Sequence, residues 1–173
     1  MPLNLPDKLP AIELLKEENI FVIDNSRASA QDIRPLKIVI LNLMPLKITT
    51  ETDLVRLLSN TPLQLEISFM KLKIHSSNHK PVDHMIAFYH DVNYGDEITT
   101  ILDWARTHVT STLYICWAAQ AGLYHFYGVP KYPLKQKMFG IFRHHINVQG
   151  LPIFRGFDDE FFVPHSRHTE IHR

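Results

Sequence analysis

Lys37-Ile38-Val39-Ile40-Leu41-Asn42-Leu43, closed by Met44-Pro45, is the stretch whose reading decides the fold. A nearly unbroken apolar run of this length suits a strand buried on both faces, as in a parallel sheet covered by helices. Downstream, Thr50 offers an N-cap with Asp53 three residues on, and predicts a helix through Leu54, Leu57 and Leu58 that Asn60 and Pro62 stop. Leu63, Leu65, Ile67 and Phe69 alternate with polar residues, which predicts a half-buried second strand. Upstream, residues 1–34 start Pro-rich, carry a short helical pattern through Ile12, Leu14 and Leu15, and end on a short strand at Phe21-Val22-Ile23. They are expected to pack as an N-terminal extension on a domain formed by 35–173.

The remainder continues the alternation, with one break. Residues 81–91 look helical, and 96–108 is a clearer helix with Ile98, Ile101, Leu102 and Ala105 on one face. Residues 113–115 form a short strand and 117–127 a helix ended by Gly128 and Pro130. After Gly140 the pattern predicts short strands and turns, including Phe161-Phe162-Val163. Strands alternating with helices predict a doubly wound α/β sheet. The helices at 81–91 and 96–108 follow each other directly, although a parallel sheet needs a strand between successive crossover helices. Either they form a helical hairpin or a strand is missing near 92–95.

Composition narrows the function classes. Eighteen basic and eighteen acidic residues leave no net charge with His neutral, hence no global field toward nucleic acid or an anionic membrane. No apolar run approaches the ~20 residues of a membrane-spanning helix. The N-terminal stretch lacks the basic segment and apolar core of a secretory signal. One cysteine excludes an internal disulfide and Cys-rich zinc sites, and a lone thiol stays reduced in the cytoplasm, the expected compartment.

The stretch Thr112-Leu113-Tyr114-Ile115-Cys116-Trp117-Ala118-Ala119-Gln120-Ala121 carries the chemistry. A short apolar strand ends at Cys116 and a helix with small first-turn residues follows, the layout of a nucleophile elbow. A helix N-terminus favours anions, and the thiolate is the reactive form of cysteine. Backbone N–H groups of that turn point where an oxyanion develops on an attacked carbonyl. The other reading is a buried structural thiol. Lys47 follows the first buried strand, at the carboxyl end where α/β folds bind ligands, and is either a group that neutralises an oxyanion or a solvated loop lysine. The eleven histidines do not make a metal site: His144 and His145 face opposite ways on a strand, and His165, His168 and His172 would need a helix that Pro164 disfavours.

Several blocks resemble homoserine O-succinyltransferases and O-acetyltransferases: Ser26-Arg27-Ala28-Ser29, Ile33-Arg34-Pro35-Leu36-Lys37, Leu41-Asn42-Leu43-Met44-Pro45, Arg56-Leu57-Leu58-Ser59-Asn60, Cys116-Trp117-Ala118, Tyr127-Gly128-Val129-Pro130-Lys131, Gly156-Phe157-Asp158-Asp159 and Pro164-His165-Ser166-Arg167. They occur in the family's order over nearly the whole chain. The resemblance implies a class I glutamine amidotransferase-like, doubly wound, mostly parallel sheet, here incomplete. It implies a methionine-biosynthesis enzyme with no bound cofactor that uses acyl-CoA as co-substrate and L-homoserine as acceptor, and a possible homodimer. In a ping-pong transfer, Cys116 would carry the acyl group, Lys47 and the backbone N–H of Trp117 would form the oxyanion hole, Lys137 would bind substrate, and Ser166 would bear on specificity.

The sequence departs from that family in two places. Between Tyr89 and Asp96 the family carries a strand and a Gly-Ala-Pro turn that selects acetyl or succinyl, and that block is absent. The chain also stops at Arg173, before the family's base histidine, its orienting glutamate and the arginine that binds homoserine, so low turnover is expected of these residues. Two smaller departures are Arg143, where an acidic residue is expected, and Leu46, where a lysine is common. The competing reading is a non-catalytic amidotransferase-like module or degenerate paralogue. A glutamine amidotransferase proper would have to release ammonia from glutamine, and the family-specific blocks argue against it.

Overall fold

The apolar run around Ile40 is a strand with parallel neighbours on both sides and a covered core on both faces. The computed structural model describes residues 2–42, 44, 46–70, 82–89 (backbone only) and 95–172. The chain divides into two units, Met1–Phe126 and Tyr127–Arg173. The first unit runs β1 (Leu3–Asn4), α1 (Ala11–Glu17), β2 (Val22–Ile23), α2 (Asn25–Ser29), β3 (Leu36–Asn42), α3 (Lys47–Leu58), β4 (Leu65–Met70), β5 (Val82–Tyr89), α4 (Gly95–His108), β6 (Val109–Cys116) and α5 (Trp117–Tyr127). Its sheet has the order β2-β1-β4-β3-β5-β6 with every pairing parallel.

Side-chain alternation along β3 builds two cores. Ile38 and Ile40 join Leu3, Leu5, Ala11, Leu15, Val55, Leu65 and Ile67 on the α1/α3 side. Val39 and Leu41 join Met70, Ile98, Ile101, Leu102, Ala105 and Ala118 on the α4/α5 side. Each buried Val, Leu, Ile or Met side chain among these contributes about 1.5–3 kcal/mol by leaving water, which is why a doubly covered strand is apolar along its length. From β3 the chain winds through α3 to β4 on one side, and from β5 through α4 to β6 on the other. The order therefore reverses between β3 and β5, and open α/β sheets bind ligands at the carboxyl edge beside such a reversal. This is the expected doubly wound α/β class. Residues 1–34 supply β1 and β2 to the sheet and Leu3, Leu5, Ala11 and Leu15 to a core.

Three local expectations need correction. The helix expected at 81–91 is a strand over its described residues: Val82–Tyr89 is β5, hydrogen-bonded between β3 and β6, and the ends of the expected span lie outside the described residues. Val82, Ile86, Phe88 and Tyr89 are strand formers, and two sheet edges each gain a partner there, which outweighs a helical period read over so few residues. The sequence β5–α4–β6 thus restores the alternation. Thr50 does not cap α3. The helix starts a turn earlier with Leu46 at the cap position, and the Thr50 hydroxyl donates to the Leu46 carbonyl at 3.1 Å.

The third correction concerns the second unit. The region beyond Gly140 is not short strands but half of one long antiparallel hairpin, β7 (Lys131–His145) with β8 (Glu160–Ile171). Its register shifts between Pro133 and Met138, and a 3-10 turn (Pro152–Phe154) lies in the connection. Expected α-helix ends are met by α5, which stops at Gly128 with φ +68°. No helix among the described residues is long and apolar enough to cross a membrane.

Candidate active site

The turn from β6 into α5 sets the geometry of Cys116. The strand ends on Cys116, the helix begins on Trp117, and Cys116 holds φ +61°. A Cβ-bearing residue in the left-handed region costs ~1–3 kcal/mol and persists only where its surroundings enforce it. Here Ala118 is buried in the α4/α5-side core, with Tyr114 and Trp117 packed against that core, so strand and helix are clamped on either side of the bend. Gly122 lets α5 lie close to β6, its Cα facing the Tyr114 ring. The thiol itself is exposed, which removes the buried structural alternative. The first N–H groups of a helix have no partner within it, and those of α5 follow directly on Cys116.

Lys47 is the first residue of α3 and is exposed. The loop that delivers it from β3 is held by Asn42, whose side chain is 4% exposed. The Met44 N–H donates to Asn42 Oδ1 at 3.0 Å, and Asn42 Nδ2 donates to the Lys47 carbonyl at 3.3 Å. Register places this loop relative to Cys116: Asn42 pairs with Phe88, Phe88 with Ile115, and Tyr89 with Cys116. Lys47 and Cys116 thus leave the same carboxyl edge, from strands separated only by β5, or ~10 Å across the sheet. Sequence pattern alone assigns Asn42 no role of its own. Its polar side chain at the end of an apolar strand was the available signal.

Lys137 and Ser166 lie in the hairpin unit. Lys137 sits at the register shift of β7 with its ammonium 5.4 Å from the Phe139 ring centroid, and Phe139 pairs with Ser166. These three residues therefore share one face of the hairpin, all exposed. On the opposite face the Nε2 atoms of His144 and His165 are 2.7 Å apart, while His145 turns away to Glu160 at 3.2 Å. Glu160 also takes Arg143 at 3.3 Å, so the unexpected arginine has a carboxylate partner. Among the described residues, no group of three or more His, Cys, Asp or Glu could hold a metal ion.

A cysteine at a strained strand-to-helix turn, on the carboxyl edge of a doubly wound sheet, defines a class of α/β protein built around a nucleophile elbow. The family model for homoserine O-succinyltransferase matches residues 2–94 and 89–173, and the chain belongs to that family. It is 82% identical to a homoserine O-acetyltransferase of Phocaeicola vulgatus and 69% to one of Bacteroides fragilis, with the whole chain aligned and 65% of each relative covered. It is 53% identical to one of Brevibacillus brevis on the same terms. The chain thus spans about two thirds of the length of these relatives, 65% of the first two. Each alignment runs over 199 positions against 173 residues, which leaves 26 positions of the relative opposite no residue of this chain. The two family matches meet at 89–94, between β5 and α4.

Proposed function

We propose that the protein acts in acyl transfer from an acyl-CoA thioester to the hydroxyl of L-homoserine, through an acyl thioester on Cys116. The observation that carries the proposal is the exposed Cys116 at φ +61°, the last residue of β6 and directly before the first turn of α5. The Cys116 thiolate attacks the thioester carbonyl, forming the new S–C bond while the carbonyl electrons move onto oxygen. The Trp117 N–H and the Lys47 ammonium stabilise that oxyanion. Its collapse breaks the bond to the CoA sulfur, which leaves with the proton that Cys116 gave up. Homoserine oxygen then attacks the acyl-cysteine, its proton passes to the Cys116 sulfur, and O-acylhomoserine departs. Lys137 and Ser166 are assigned to substrate binding and specificity.

The names of the relatives favour acetyl-CoA over succinyl-CoA as donor. A cytoplasmic setting suits a nucleophile that must stay reduced. The test offers both thioesters in equal amount, with and without homoserine, and follows CoA thiol release and O-acylhomoserine. Acetyl transfer is expected to predominate, and release of CoA without any acylated Cys116 would defeat the proposal. The 26 unmatched positions favour one second reading, a non-catalytic module that keeps the elbow and binds the same ligands. Such a module would bind acyl-CoA without releasing thiol.

A further inference from the structure

We infer that Asn42 is a positioning residue that sets Lys47 at the carboxyl edge, an inference that rests on the proposed acyl transfer. Asn42 is one of four buried polar residues among those described, and it ends an apolar strand in which any aliphatic residue would pack. Burying a carboxamide is unfavourable unless its hydrogen-bonding groups are used, and here both ends are used on one loop. Oδ1 accepts from the Met44 N–H, and Nδ2 donates to the Lys47 carbonyl. The carboxamide therefore bridges the last residue of β3 and the first residue of α3.

That bridge has a specific consequence. α3 has no side-chain cap, since Leu46 occupies the cap position, and the Thr50 hydroxyl that bonds the Leu46 carbonyl ties the first turn only to itself. The buried Thr52 hydroxyl likewise bonds the Ile48 carbonyl within the helix and does not set the loop. Asn42 thus anchors the Lys47 backbone to the sheet on which Cys116 also ends. Its effect on chemistry passes through Lys47 and involves no contact with substrate. A displacement of ~1 Å in such a group can cost up to ~10²-fold in rate.

A double-mutant cycle on Cys116 acylation tests this, read as CoA release and intact mass with acetyl-CoA. Asn42→Ala is expected to slow acylation roughly 10-fold to 100-fold, Lys47→Ala by about 10²-fold or more, and the double variant no further than Lys47→Ala alone. Thr52→Val, at a residue as buried as Asn42 but within α3, is expected to lose stability without slowing acylation. If Asn42→Ala does not fold, Asn42→Ser enters the same cycle, since its hydroxyl still accepts from the Met44 N–H but does not reach Lys47. Wild-type rates in the Asn42 variants, or losses that add fully to that of Lys47→Ala, would overturn the inference while leaving the acyl-transfer reading intact. A folded wild-type chain that is never acylated removes both.

Discussion

Cys116 shows how one residue couples strain to chemistry. Its φ of +61° is a conformation that glycine adopts freely and a Cβ-bearing side chain does not. Cys116→Gly should therefore be more stable than Cys116→Ala by about 1 kcal/mol, although both lack the thiol. Urea denaturation of the two variants checks this, and equal midpoints would mean that the bend is unstrained. His165 makes a second prediction at this scale. Burial, then the Arg167 charge, then His144 hold its pKa below the ordinary value. The folded state thus resists a proton that the unfolded state accepts, so this stability contribution is complete above pH ~6.5 and is lost as pH falls from there through the folded pKa. An NMR titration should find the His165 ring titrating below its unfolded value, and a midpoint at or above ~6.5 would refute the reading. The elbow was legible in the sequence because an apolar strand, a lone Cys and a run of small helical residues adjoin. Asn42 was not, because its partners are backbone atoms two and five residues on, which side-chain pattern does not reveal.

Elements add constraints that single residues lack. Helix α5 lies on β6 through Gly122, where an added Cβ would meet the Tyr114 ring at 3.5 Å, an ordinary contact. Gly in a helix interior costs ~1 kcal/mol relative to Ala. Gly122→Ala should accordingly raise stability by about 0.5–1 kcal/mol and leave the elbow in place. Thermal melts check this, and a clear loss would show that the added methyl group is not accommodated against the Tyr114 ring. Strand β5 shows where pattern reading fails. Its eight residues carry apolar side chains at spacings compatible with a short helix, and only the vacancy between β3 and β6 decides for strand. The β7–β8 hairpin was missed for a related reason. β7 is mostly exposed and β8 alternates half-buried with exposed positions, with His, Lys and Arg among them, so no apolar period announces their length.

At the scale of the molecule, the doubly wound sheet was readable from the run at 37–43, because a strand covered on both faces admits few architectures. The sheet order then places the ends of β3 and β6 one strand apart on a common edge, which sequence spacing alone cannot give. Family membership extends along the chain on both sides of β5 and α4, while 26 positions within the aligned stretch of the relative have no counterpart in this chain. Acyl transfer by this chain requires that its sheet present a working nucleophile at Cys116. The direct measurement is peptide-mapped mass spectrometry of the chain after incubation with acetyl-CoA, beside Cys116→Ser. A thioester-linked acyl group is expected on the Cys116 peptide, removable by hydroxylamine and by homoserine, with no thioester in the serine variant. An unmodified Cys116 peptide from folded protein at saturating acetyl-CoA and succinyl-CoA would contradict it.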